Sequence, residues 1–152
     1  MSVSKFHWSV AAAVLAVAIP AAAQFKSPED AVEYRQSAFT VMGTHFGRIG
    51  AMLQGKVPYD AKAAADNAEI VSVMSHLPYQ GFVEGTSGTK KGSPKASIWT
   101  NRADFDGKAK KLQDAAAKLA TVAKEGSMDT LKPAFLATAE TCKSCHDEYR
   151  NK

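Results

Sequence analysis

The chain has 152 residues, 45% hydrophobic and 22% charged, with a formal net charge of +4, which allows one domain with a single core. Its 19 basic residues are scattered among 15 acidic ones. No basic stripe with interleaved aromatics appears, so the balance argues against nucleic acid as a partner and offers at most a weak preference for acidic surfaces.

The first segment does not belong to the core. Lys5 precedes an apolar run over residues 10–19, followed by Pro20 and Ala21-Ala22-Ala23. This is the charged start, apolar middle and small-residue cleavage site of a secretory signal. The expected cut follows Ala23, leaving 24–152 as the mature domain and lowering the formal charge from +4 to +3 through loss of Lys5. The run is well short of the roughly 20 residues a membrane-spanning helix needs, so the mature protein is expected to be exported and not inserted in a membrane.

Ser27-Pro28-Glu29-Asp30 reads as a helix start, with a capping serine, proline at the first helical position and acids in the first turn. Val32, Arg35, Phe39, Met42, Phe46, Ile49 and Leu53 follow at three-four spacing, a single face. Gly55 and Pro58 end that helix. A second, alanine-rich helix is expected over about 60–77, with Ala64, Ala68, Val71 and Met74 inward and Pro78 as the stop. Residues 81–100 hold Gly85, Gly88, Gly92 and Pro94 among small polar residues and predict a long loop.

The third helix should begin between Asn101 and Asp104, repeating Phe105, Ala109, Leu112, Ala116, Leu119 and Ala123 before Gly126 stops it. The fourth starts at Ser127 or Asp129 and carries Leu131, Phe135, Thr138, Cys142, Cys145 and Tyr149 on its inward stripe. Four amphipathic helices without a strand-like run predict an all-α, antiparallel four-helix bundle, with short turns at the first and third connections.

The two cysteines lie in Cys142-Lys143-Ser144-Cys145-His146. A disulfide across two intervening residues closes a very small loop and constrains the unfolded chain little. A thioredoxin-like dithiol needs its motif at the first turn of a helix after a strand, where the dipole lowers the thiol pKa. Zinc needs a fourth ligand, for which His45 or His76 would have to arrive by packing. Haem suits the pentapeptide directly: two thiols add to the porphyrin's two vinyl groups and the adjacent imidazole reaches the iron. Cys142 and His146, four apart on a helix, point the same way.

The chain resembles cytochrome c′, the class II c-type cytochromes, over essentially its whole mature length. The resemblance rests on the haem motif in the last helix, where class I cytochromes c carry it near the N-terminus. It also rests on Gln24-Phe25, Pro28-Glu29-Asp30-Ala31-Val32 and Tyr34-Arg35-Gln36-Ser37-Ala38, and on Cys142 to Arg150 read as Cys-Lys-x-Cys-His-Asp-x-Tyr-Arg. It implies a periplasmic homodimeric bundle with one covalent haem c per chain and a five-coordinate, high-spin iron held by His146. Such proteins bind nitric oxide and carbon monoxide, largely exclude dioxygen, and act by binding rather than turnover; nitric oxide sequestration or sensing is the implied role, with electron transfer to a redox partner protein beside it.

By the same resemblance Arg35 and Gln36 lie near the haem propionates, Phe39 covers the distal side of the iron, Phe82 packs at the haem edge and Arg150 stands near the proximal histidine. Arg35 otherwise reads as a side chain snorkelling to the rim, and Phe39 as plain core. Phenyl offers iron no lone pair. Met42 is the competing sixth ligand, since some low-spin class II relatives use a first-helix methionine, and it would make the protein a six-coordinate electron-transfer cytochrome. A haem enzyme such as a peroxidase is disfavoured because the expected distal face lacks a polar acid–base group.

Overall fold

The structure is a computed structural model and describes residues 24–152; the expected signal segment lies outside the described residues. Four long helices form the frame: α1 (Pro28–Leu53), α2 (Ala61–Met74), α4 (Arg102–Ala123) and α5 (Met128–Tyr149), with a one-turn helix α3 (Ser97–Thr100) before α4. Each of three N-termini is closed by the side chain the sequence offers. Ser27 accepts from Asp30 N–H at 3.2 Å, Asp60 from Ala63 N–H at 2.9 Å and Ser127 from Thr130 N–H at 3.5 Å. At the end of α1, Gly55 takes a positive φ of 68° and Lys56 N–H reaches back to Ala51 O at 2.9 Å, a Schellman closure.

α1 packs on α2, α2 on α4, and α4 on α5, which makes the expected bundle. The inward line of α1 is not quite the predicted one. Ala31, Arg35, Ala38, Met42, Ile49 and Met52 are buried, whereas Val32, Phe39, Phe46 and Leu53 are only half-buried. Ala31 and Ala38 share the buried line with Arg35, Met42, Ile49 and Met52, and the half-buried rings of Phe39 and Phe46 flank it. The same shift appears in α5, where Ala134 is buried and Phe135 half-buried, its ring stacked on Phe46 with centroids 4.1 Å apart.

Two further expectations are corrected. α2 stops at Met74 rather than near Leu77, because His76 and Leu77 N–H already bond three residues back, tightening the chain into a 3-10 turn over Pro78–Gly81. The segment after it is not uniformly irregular, since α3 interrupts it and seats the fully buried Ile98.

The interior divides in two. One cluster is built from aliphatic and small residues of all four long helices, among them Met42, Ile49, Ala64, Ala68, Leu112, Ala116, Leu119 and Leu131. The other consists of Phe82, Ile98, Phe105 and Tyr149. Phe39 and Tyr79 pack against both, while Cys142 packs on the first and Cys145 on the second. The thiols therefore stand at the boundary.

Candidate functional site

The last two turns of α5 carry Cys142, Cys145 and His146. Helical spacing brings all three to one side, and both cysteines are free and half-buried. Burial pushes the Cys142 thiol above its ordinary value despite a bond with Thr141. It does the same for Cys145 despite the Lys108 cation. A reactive dithiol needs the opposite shift, and the motif lies in the last two turns of α5, not at the first turn of a helix after a strand. His146 stands at the solvent edge of the helix. Partial desolvation first, then the Arg150 cation, pull its pKa below the usual histidine value, with Asp147 opposing; a neutral imidazole is the form that ligates metal.

Facing these groups is a wall of rings from different elements. Phe39 of α1 meets Tyr79 of the 3-10 turn and Phe82 just after it edge-on, with centroids 6.2 and 6.3 Å apart. Phe105 of α4 lies 4.9 Å from Phe82 and 5.4 Å from Tyr149. The Tyr149 hydroxyl donates to Asp104 at 2.7 Å, and burial, then that bond, push its pKa up to about 12. Tyr79 is pushed higher still by burial and by the nearby Cys145 and Cys142, so its phenol stays protonated.

The 3-10 turn sits hard against α1. A Cβ at Gly81 would meet Ala31 O at 2.5 Å and Arg35 Cβ at 2.9 Å, so only glycine permits the approach that brings Tyr79 and Phe82 to the wall. Arg35 is 4% exposed, which excludes the snorkelling alternative. Its Nη1 donates to Gly81 O at 2.9 Å and Thr86 Oγ1 at 2.6 Å, and its Nη2 to Thr86 O at 2.7 Å. The guanidinium also lies over the Phe82 ring, 4.8 Å from the centroid. Backbone oxygens, one hydroxyl and a ring thus offset the burial of its charge. Three of its five N–H groups are engaged, leaving Nε and one Nη2 proton without a protein partner. Gln36, next along, is exposed.

The competing ligands are accounted for differently. Met42 is 7% exposed and belongs to the aliphatic cluster. His45 Nδ1 pairs with Asn67 Oδ1 at 2.7 Å, and Asn67 Nδ2 donates to Ala63 O at 2.6 Å, which ties that imidazole to α2. Among the described residues, no three His, Cys, Asp or Glu side chains are grouped to hold a metal ion by themselves.

Tyr79 and Trp99 were not singled out from the sequence. Tyr79 completes the wall, and Trp99 is half-buried with its Nε1 enclosed and without a hydrogen-bond partner. The density of rings at 79–82 and 98–105 was the available signal. A cleft of about 620 Å³ lined by Tyr79, Gln80, Phe82, Val83, Glu84, Trp99 and Arg102 opens beside them. Another, about 560 Å³, lies at the opposite end of the bundle around Val57, Tyr59 and Met128 and holds none of this chemistry. Two thiols, an adjacent imidazole, flat apolar walls and an orphaned indole N–H fit a large planar aromatic cofactor tethered to α5.

The family model described as Cytochrome C' matches residues 30–150. The cytochrome c′ of Rubrivivax gelatinosus is 44% identical over 129 residues, which is 85% of this chain and 100% of that protein. Among solved structures, cytochrome c prime from Shewanella frigidimarina superposes with a TM-score of 0.80 at 42% identity, covering 84% of this chain and 99% of that one. A nitric oxide complex of a variant cytochrome c prime from Alcaligenes xylosoxidans gives 0.77 at 43% identity, covering 84% and 98%.

Proposed function

This chain belongs to the cytochrome c′ family, and from that membership we propose that it is an exported gas-binding haem protein with a five-coordinate, high-spin iron. Haem c, the family's covalent cofactor, would be held by Cys142 and Cys145 through thioether bonds, with His146 supplying the imidazole to its iron. When bound, it supplies an iron able to take up nitric oxide or carbon monoxide. The chain's own residues decide what else reaches that site. Phe39, flanked by Tyr79 and Phe82, excludes water and offers no lone pair. Arg35 and Gln36 attend the propionate edge with Phe82, and Arg150 attends the proximal side.

The observation that carries this reading is the character of the α1 face opposite the cysteines, where a phenyl ring stands at the boundary and the Met42 sulfur is enclosed in the aliphatic cluster. The Alcaligenes relative, solved as a nitric oxide complex, supports the choice of ligand. The role is nitric oxide sequestration or sensing, with electron transfer to a partner protein as the second use. Absorption and electron-paramagnetic spectra of the ferric protein at neutral pH should show a high-spin iron; a low-spin signal would overturn the proposal.

No described helix is long and apolar enough to cross a membrane. A periplasmic protein cleaved after Ala23 is checked by the mass of the purified chain, which should begin at Gln24. A homodimer through α1 is supported by small side chains along its outer face. A Cβ at Gly43 or Gly47 would meet nothing within 4 Å, and the Thr40 and Thr44 hydroxyls bond back to their own helix, turning methyls outward. Gly47→Glu should then shift sedimentation from dimer to monomer; an unchanged dimer would place the interface elsewhere.

A further inference from the structure

The chain that leaves α5 does not trail into solvent. Arg150 forms an antiparallel bridge with Pro94. Gly92 N–H donates to Asn151 O at 2.8 Å, Asn151 N–H to Ser93 O at 2.9 Å, and Lys95 N–H to Tyr149 O at 2.9 Å. The Asn151 amide adds the side-chain part of the tie, with Nδ2 donating to Gly88 O at 2.7 Å, Ser93 Oγ at 3.1 Å and Ser93 O at 3.2 Å. The loop so held reaches Arg150 in turn, because Arg150 Nε donates to Gly92 O at 3.2 Å. Contact there is close: a Cβ on Gly92 would meet Arg150 Nη2 at 3.1 Å, and the residue's φ of 85° favours glycine in any case. The beginning of the same loop is fixed to α1 by Arg35 at Gly81 and Thr86.

We propose that Asn151 is a positioning residue for the proximal side of the haem: its amide locks loop 88–95 onto the end of α5, and the loop's Gly92 carbonyl holds the Arg150 guanidinium beside His146. The inference rests on reading His146 as the axial ligand. One turn separates the two, with Arg150 N–H bonded to His146 O at 3.1 Å, so a fixed guanidinium is a fixed positive charge near the iron. A cation there favours the reduced, less positive state. Freed from Gly92, the side chain swings into water and that preference weakens.

The test uses the holoprotein and its Asn151→Ala, Arg150→Ala and doubly substituted forms, with two measurements. Tryptic cleavage after the exposed Lys90 and Lys91 reports on the loop, and should run about tenfold faster in Asn151→Ala, as expected for loss of a side-chain hydrogen-bond set. The midpoint reduction potential reports on Arg150 and should fall. In the Arg150→Ala background the Asn151 substitution should still accelerate cleavage yet leave the potential where Arg150→Ala alone puts it. Gly92→Ala attacks the same contact from the loop and should lower the potential only when Arg150 is present. Unchanged cleavage in Asn151→Ala, faster cleavage with an unchanged potential, or an additive shift in the double variant would each overturn the assignment. The potential is defined for five- and six-coordinate iron alike, so a low-spin spectrum would sink the coordination reading and leave this test standing.

Discussion

The two halves of the interior are packed by opposite means. In the aliphatic half, Ala64, Ala68, Ala116 and Ala123 are at most 1% exposed and let helices approach closely, leaving no room for a large planar guest. In the aromatic half, Phe39, Tyr79, Phe82, Phe105 and Tyr149 come from separate elements and meet one another ring against ring. The cysteines sit where the one regime gives way to the other. A bundle of nearly uniform helices thus gains a cofactor end by changing side-chain volume along its axis, with no change of topology.

Volume changes test that contrast: loss of a large side chain should cost stability in either half, and the aliphatic half should resist a gain of volume as well. Phe105 is 1% exposed and touches three other rings, so Phe105→Ala should cost about 3–5 kcal/mol in chemical denaturation. Met42→Ala should cost about 2–5 kcal/mol while leaving the ferric spectrum unmoved, because its sulfur serves packing; a lost low-spin signal would make it the sixth ligand instead. Ala116→Leu should destabilise by about 1–3 kcal/mol through overpacking. Tolerance of Leu at 116 would mean the aliphatic half is looser than its burial implies.

The division was only partly legible in the sequence. The helix start at Ser27 was readable because capping chemistry is local, and the last-helix motif because its spacing is; the starts near residue 60 and at Ser127 or Asp129 were placed from composition and periodicity, and the structure supplies their caps. The bundle itself followed from periodicity. Arg35, Met42 and Ile49 of the predicted face of α1 are buried, but the burial of Ala31, Ala38 and Met52 in place of Val32, Phe39 and Leu53 was not legible, since periodicity locates a face but not which of two neighbouring residues lies nearest the partner helix. Arg35 was flagged as an oddity in an apolar stripe, but its partners, Gly81 and Thr86, lie 46 and 51 residues away in the chain. No local pattern encodes a contact of that separation. The place of Tyr79 in the wall depends in the same way on Gly81 pressing against Ala31.

The residue on which both halves meet gives the most pointed test. Phe39 packs against the aliphatic and the aromatic clusters alike, and its ring is half-buried rather than enclosed. Removing it should therefore disturb stability less than Phe105→Ala, because neighbouring rings already share its contacts and solvent already reaches part of it. Access should change more. If the ring covers the iron, Phe39→Ala opens the distal cavity and carbon monoxide association in stopped flow should accelerate by about tenfold, equivalent to a barrier lowered by about 1.4 kcal/mol. Phe39→Leu, which keeps an apolar side chain over the site, should fall between the two. An unchanged association rate in Phe39→Ala, with stability reduced, would show that Phe39 is a bridge between two cores and that another ring, Tyr79 or Phe82, guards the iron.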